Sequence, residues 1–231
     1  MKLFINVGTR LLGFLLVGVI SQGVFAAERA GVLLKVSGEV TIAAASGEER
    51  EATSKGAVYV GDTLKTADKG QVFVMMSDKT RMIIRENSEV LIESFIYEER
   101  ETDKQSTSLL KGALRSISGE IGKRTPKNVS YKAATATIGI RGTDIDVAII
   151  GEGQADRAGV YNYVRDGQTE VELASGERAL VEKEKAGFVP KSPKPGESLL
   201  QILDDRPAFL SNSGFDTLMK QLTNVRVPSI R

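Results

Sequence analysis

The sequence predicts an all-β chain, an elongated stack or sandwich of short, mostly antiparallel strands with a short α-helical C-terminal tail. Three observations carry that expectation. Apolar and polar residues alternate in several short runs, turn signals recur about every ten residues, and helix-spaced apolar residues follow a Pro-rich stretch near the C-terminus.

The first segment stands apart from the fold. Lys2 and Arg10 are the only charges before Glu28, and the apolar block Leu11–Ile20 follows them. Small residues then lead to Ala26 and Ala27. This order of charged, apolar and small-residue regions is that of a secretory signal peptide over residues 1–26, cleaved between Ala26 and Ala27. A bilayer span needs about twenty apolar residues, so the block is short for a retained anchor. No transmembrane helix is expected after cleavage.

The β domain is expected over residues 27–190. Val32, Leu34, Val36, Val40 and Ile42 share even positions, and Lys35, Ser37, Glu39 and Thr41 occupy odd ones. A period of two puts such sets on opposite faces of a sheet. The alternation returns in Val90, Ile92 and Ile96, and in Ala134, Ala136, Ile138 and Ile140 against Thr135, Thr137 and Arg141. Val72–Met76 is apolar on both faces and reads as an interior strand. Between the runs stand Ser46-Gly47, Gly61-Asp62, Asp68-Lys69-Gly70, Ser77-Asp78, Lys111-Gly112, Ser118-Gly119, Asp166-Gly167 and Ser175-Gly176, all with turn chemistry.

Residues 191–197 read as a Pro-rich linker, because Pro193 and Pro195 oppose helix. Residues 198–231 read as an amphipathic helical tail. Ser198 and Gln201 fit a capping box ahead of Leu199–Leu203, and Phe215, Leu218, Met219 and Leu222 follow at helical spacing. Helices this short are marginal alone, so the tail either caps an open sheet edge of its own chain or docks on a partner.

Composition narrows the chemistry. The 231 residues contain no Cys, no His and no Trp. Serine–histidine and cysteine–histidine catalysis are excluded, as are disulfides and zinc held on sulfur. The net charge is +1, and losing the two positive charges of the signal peptide leaves −1. A nucleic-acid protein usually carries a strong basic excess, so nucleic acid is not an expected partner. Charge is nevertheless segregated. Residues 86–101 hold six Glu and one Arg, and residues 111–141 hold seven Lys or Arg and one Glu.

Ala134-Thr-Ala-Thr-Ile-Gly-Ile-Arg-Gly-Thr-Asp144 resembles the signature of the FecR domain family. Gly38-Glu-Val40, Val60–Thr66, Gly70–Thr80, Leu109–Leu114 and Val164–Val171 resemble further family pieces in the same order. Lys79 stands where the family often has glycine, and Asp166 stands for its glutamate. The resemblance covers about two-thirds of the chain, from Gly31 to Phe188. It implies an elongated, twisted stack of short antiparallel strands with a binding role. Founding members are inner-membrane regulators that carry a cytoplasmic anti-sigma segment. Ten residues before the apolar block are too few for such a segment, so a stand-alone exported protein is expected, periplasmic or secreted.

Candidate sites follow. Ala134, Thr135, Gly139, Arg141, Gly142, Thr143 and Asp144 form the family motif, with structural roles expected and Arg141 paired to Asp144 or Glu120. Lys111, Arg115, Lys123, Arg124, Lys127 and Lys132 form a candidate basic face. Its partner would be an envelope protein or an anionic cell-envelope component. The competing reading is that the acidic and basic stretches neutralise each other as sheet neighbours. Asp144 and Asp146 share a strand face; a glycan hydrolase would need these or another acid pair open in a deep cleft. No catalytic residue, metal ligand or cofactor is nominated. The expected function is a non-catalytic binding, sensing or scaffolding module, with an envelope hydrolase or a regulator of surface signalling as alternatives.

Overall fold

The structure is a computed structural model that describes residues 27–210. The signal peptide and the stripe from Phe215 to Leu222 lie outside the described residues. The chain forms β1 (Arg29–Ser37), β2 (Val40–Ala43), β3 (Glu49–Glu51), β4 (Ala57–Tyr59), β5 (Thr63–Thr66), β6 (Gln71–Met76), β7 (Arg81–Ile84) and β8 (Glu89–Ile96). Next come β9 (Lys104–Ile117), helix α1 (Glu120–Arg124), a 3-10 turn (Pro126–Asn128), β10 (Val129–Ala133), β11 (Ala136–Ile150) and β12 (Gly159–Leu173). β13 (Arg178–Glu182), β14 (Ala186–Pro190) and β15 (Gln201–Leu203) complete the strands.

All fifteen strands join one sheet, and every pairing is antiparallel except β9 with β10. The pairings resolve into two leaves. Leaf A runs β3-β2-β5-β8-β9-β10-β11-β12-β13, and leaf B runs β4-β1-β6-β7-β9-β11-β12-β14-β15. Strands β9, β11 and β12 belong to both, one half in each leaf. One core joins the leaves, with Leu64, Ile92, Leu109, Ile138 and Val171 from leaf A against Leu33, Val74, Met82, Leu114, Val147 and Val164 from leaf B.

The long strands change leaf at residues in the left-handed region. Gly112 in β9 has φ +80°, Gly142 in β11 +61° and Gly167 in β12 +80°. Only glycine enters this region freely. At Gly112 a Cβ would stand 2.7 Å from Ser88 Cα, so the corner is also too tight for a side chain. Each corner adds a residue to the ladder and reverses the inward parity, as a β-bulge does. Thr107 and Leu109 point into the core before Gly112, and Leu114 and Ser116 after it. Ile138 and Ile140 precede Gly142, and Ile145 and Val147 follow. Both halves of a strand thereby keep their apolar faces inside. Asn87, between β7 and β8, and Glu184, between β13 and β14, take the same left-handed step.

Three expectations change. Lys111-Gly112 and Asp166-Gly167 are corners inside continuous strands, not loop turns. In β1, Leu33 rather than Leu34 enters the main core, because the ladder to β6 shifts register between Leu33 and Lys35. Leu34 packs on the opposite face, against Phe73 and Ile83. The segment after Ser198 is a strand where a helix was expected. β15 pairs with β14 over Ala186–Phe188, satisfying backbone groups that edge would otherwise leave open. Gln201 donates to Glu197 Oε1 at 2.8 Å, a contact outside a capping box.

Other expectations hold. β6 lies between β1 and β7 with five of its six residues buried. Lys79, where a glycine was expected, has φ +69°, the conformation glycine favours. Through Leu210 the tail docks on its own chain. Leu210 and Phe209 pack with Tyr161, Tyr163 and Phe188 on the outer face of leaf B, and Arg85 donates to the Phe209 carbonyl at 3.0 Å. Among the described residues no helix is long and apolar enough to cross a membrane.

Candidate functional site

The parallel pairing creates a hollow on leaf A. β9 ends in leaf B at Ile117, while β10 begins beside Gln105 in leaf A. α1 and the 3-10 turn carry the chain back between these points. Buried carboxylates at both ends hold this crossover. Asp78 accepts from Thr80 N and Thr80 Oγ1 at 2.9 Å and from Ile121 N at 3.3 Å. Burial pushes the Asp78 carboxyl up, against the pull of these donors. Asp103 accepts from Glu98 N at 2.9 Å, Arg100 N at 3.0 Å and Arg124 Nη1 at 3.2 Å. Glu120, bonded by Lys79 and Tyr97, is held below the usual carboxylate range by those two partners. Tyr97 is pushed up to about 12, first by burial and then by Glu120.

Between the crossover and the outer face of leaf A lies a groove of about 980 Å³. Its floor follows from strand register. Ser106, Ser130, Gly139 and Glu170 are successive partners across β9, β10, β11 and β12. The parallel row reads Ser108, Lys132, Thr137 and Glu172. Short side chains keep this floor low. Gly139 is not required by the backbone, for a Cβ there would meet only the Glu170 carbonyl oxygen, at 3.8 Å. Its missing side chain instead leaves the groove open.

Six of the expected site residues line this groove: Lys123, Arg124 and Lys127 on the crossover wall, with Gly139, Arg141 and Gly142 on β11. Arg124 is committed to Asp103. The side chains of Lys123, Lys127 and Arg141 make no hydrogen bond or ion pair among the described residues, so the expected pairing of Arg141 with Asp144 or Glu120 is corrected. The Glu101 carboxylate likewise makes no hydrogen bond or ion pair among the described residues; Glu172 pairs with Arg178 at 2.7 Å, and Glu170 is within electrostatic reach of the same guanidinium.

The rest of the basic set is dispersed. Arg115 is 8% exposed and grips Asp144 with two bonds, Nε–Oδ1 at 2.8 Å and Nη2–Oδ2 at 2.6 Å. Lys132 pairs with Glu93 at 2.7 Å, and Lys111 faces Glu89 across the ladder. These contacts are the neutralisation of acidic by basic stretches that strand neighbours provide. Arg115 departs from the basic face because the corner at Gly112 turns it to the outer face of leaf B.

Elsewhere the motif builds corners. Ala134, with φ +48°, and Thr135 form the two-residue turn joining β10 to β11. Thr143 donates from its N–H to Ser118 Oγ and accepts from Ser118 N at 2.9 Å, pinning the β11 corner to the end of β9. Asp146 is buried and bonded by Arg165 Nε at 2.7 Å. Burial pushes the Asp146 carboxyl up, and the Arg165, Arg115 and Arg206 guanidinium groups pull it back. Sequence reasoning missed Glu101, Ser130, Glu170 and Glu172 as groove residues. The alternation Thr169–Leu173 carries the phase of the two glutamates, but only the cross-strand register places them beside Gly139.

Two crystal structures of a candidate anti-sigma factor from Parabacteroides distasonis are similar to this chain. Each matches with a TM-score of 0.50 and 11% sequence identity, covering 64% of this chain and 62% of that one. The match therefore spans less than two-thirds of that protein's length, and at this identity it establishes likeness of fold. No curated protein sequence matches the chain. The family model described as FecR protein matches residues 62–178, from the turn before β5 to the start of β13. That span is half of the chain and contains the crossover, the bent β11–β12 hairpin and the Arg141–Asp144 corner: the chain belongs to the FecR protein family.

Proposed function

We propose that this FecR-family protein is an exported, non-catalytic binding and sensing module of the cell envelope, and that the outer face of leaf A is its partner-binding surface. The single observation that carries the reading is the groove at the crossover, where the side chains of Lys123, Lys127, Arg141, Glu101 and Glu170 make no hydrogen bond or ion pair among the described residues. An exposed charge loses little by standing alone, but five in one hollow form a surface ready for a complementary partner. The Leu11–Ile20 block and the small residues up to Ala27 support export. The hydrolase alternative has less support. Asp144 and Asp146 would be its carboxylates, and an arginine engages each of them.

The test is a crosslinking experiment in intact host cells. A photo-crosslinker at Thr137, on the floor of the groove, is compared with one at Lys35 on leaf B. The expected result is a reproducible envelope partner from Thr137 alone and a mature N-terminus at Ala27 by mass spectrometry. Equal capture from both positions, or an uncleaved N-terminus, overturns the reading.

A further inference from the structure

We propose that the leaf A groove binds an extended peptide that bears both a free carboxylate and a free ammonium group, an inference that rests on the groove being the partner-binding surface. The charges carry it. Lys123 and Lys127 stand on the crossover wall, while Glu170 stands on β12, across the open floor at Gly139. Arg141 lies two residues from Gly139 on the same face of β11 and is diagonal to Glu170 in the ladder. Cationic and anionic groups thus line a single hollow without neutralising one another. A purely anionic ligand would meet Glu170 and Glu172, and a purely cationic one would meet Lys123, Lys127 and Arg141, which make no ion pair among the described residues. A ligand with both signs satisfies both walls. Arg141 supplies a planar fork for its carboxylate, and Glu170 accepts its ammonium.

Shape and lining agree with a peptide. Strands lie about 4.8 Å apart, so the row from Ser94 through Ser106, Ser130 and Gly139 to Glu170 extends about 19 Å, the length of about six extended residues. Hollows of about 310 Å³ and 490 Å³ share Lys127 and Ser130, or Thr137 and Glu172, with the central groove and prolong it at either end. Serine and threonine hydroxyls along this row can donate to and accept from a peptide backbone. Among the lining residues there is no aromatic ring on which a sugar or a base would stack.

The test is calorimetric titration of the mature chain with free-ended hexapeptides that carry one Lys and one Glu in either order. The same peptides with acetylated and amidated ends and Gln for both charges serve as one control, and inorganic phosphate as another. The expected result is saturable binding of at least one free-ended peptide and none of either control. Binding falls about tenfold or more in Arg141→Ala, the loss of one charge-assisted contact, and falls in Glu170→Gln. Gly139→Val, where strand backbone and space admit a side chain, blocks the floor while the thermal transition is retained. Equal affinity for phosphate or the blocked peptides overturns the proposal, as does the absence of saturable binding by any free-ended peptide. If groove-specific crosslinking in cells succeeds while the peptides fail, the ligand class is wrong and the binding surface stands. If both fail, both readings fall.

Discussion

The outer faces of the two leaves are built by the same three strands, yet they are finished in opposite ways. On leaf B, the outward residues of β9, β11 and β12 are Arg115, Asp144, Asp146, Tyr163 and Arg165, and their charged groups pair within the chain. Two Arg–Asp pairs are largely shielded there, each with one buried and one half-buried partner. Tyr161 stacks on Phe188 at 4.5 Å, and Phe209 meets Tyr161 edge-on at 5.1 Å, so the end of the described chain closes this face. On leaf A, the outward residues of the same strands are Ser106, Ser108, Thr137, Gly139, Arg141, Glu170 and Glu172. They are short or charged, and the closing segment does not reach them. A strand that crosses a glycine corner can thus serve stability with one half and leave the other half open.

That contrast can be broken by mutation, and the largest effect is expected on leaf B. Asp146→Ala leaves the Arg165 guanidinium buried without its carboxylate, which is expected to cost about 3–5 kcal/mol in chemical denaturation. Leu210→Ala removes a side chain that is 3% exposed and packed on the aromatic cluster. The expected loss is about 2 kcal/mol or more, with tyrosine fluorescence reporting the opened face. If either variant is as stable as the parent, the closure of leaf B is not what holds that face.

The glycines sharpen the comparison at intermediate magnitude. Gly167→Ala must place a side chain at φ +80° against the Gly142 carbonyl oxygen and 3.0 Å from the Thr143 methyl. Gly142→Ala has open space and bears only the left-handed strain, about 1–2 kcal/mol. Gly139→Ala has neither penalty and is expected to leave stability within about 0.5 kcal/mol. The expected order of melting temperatures is therefore Gly139→Ala above Gly142→Ala above Gly167→Ala. At the small end, Arg141→Ala on leaf A is expected to shift stability by less than about 0.5 kcal/mol while weakening ligand binding. A large destabilisation by Arg141→Ala would make the residue structural and return leaf A to the character of leaf B.

Alkaline titration tests the core between the leaves. Tyr131 is pushed up to about 12, chiefly by burial, while Ser116 and Gln105 hydrogen-bond its hydroxyl. The unfolded tyrosine ionises near 10, so the folded state is favoured below that pH, and the advantage is lost as pH rises from about 10 through 12. Absorbance titration should show Tyr97 and Tyr131 ionising later than the ordinary value. Tyr131→Phe should remove part of the stability loss over that window, and an unchanged slope would place the loss elsewhere.

Several elements were legible in the sequence because they depend on local chemistry. The alternation of Ala136, Ile138 and Ile140, the two-sided apolar run Val72–Met76, and the hairpin turns at Ser46-Gly47 and Ser175-Gly176 need only neighbouring residues to be read. The capping box at Ser198 misled because an open edge on β14 outweighed the weak helical preference of Leu199–Leu203. Lys111-Gly112 and Asp166-Gly167 misled because a turn and a corner use the same left-handed glycine. Arg115 was grouped with Lys123 and Lys127 because they are close in sequence, whereas the bulge at Gly112 sends it to the other leaf.

By itself, the sequence determined the strand periodicity, the class of the fold, the family motif and the absence of histidine and cysteine chemistry, since each is a property of residue type and spacing. Only the tertiary structure decided which charges are spent within the chain and which are left over. Arg115 and Arg141 belong to the same basic stretch and are not told apart by composition. One meets Asp144 under a closed face, and the other makes no ion pair among the described residues and lines the groove beside Gly139. The reason is that partnership between side chains on different strands is set by register and corner geometry, and a shift of one residue turns a side chain to the opposite face.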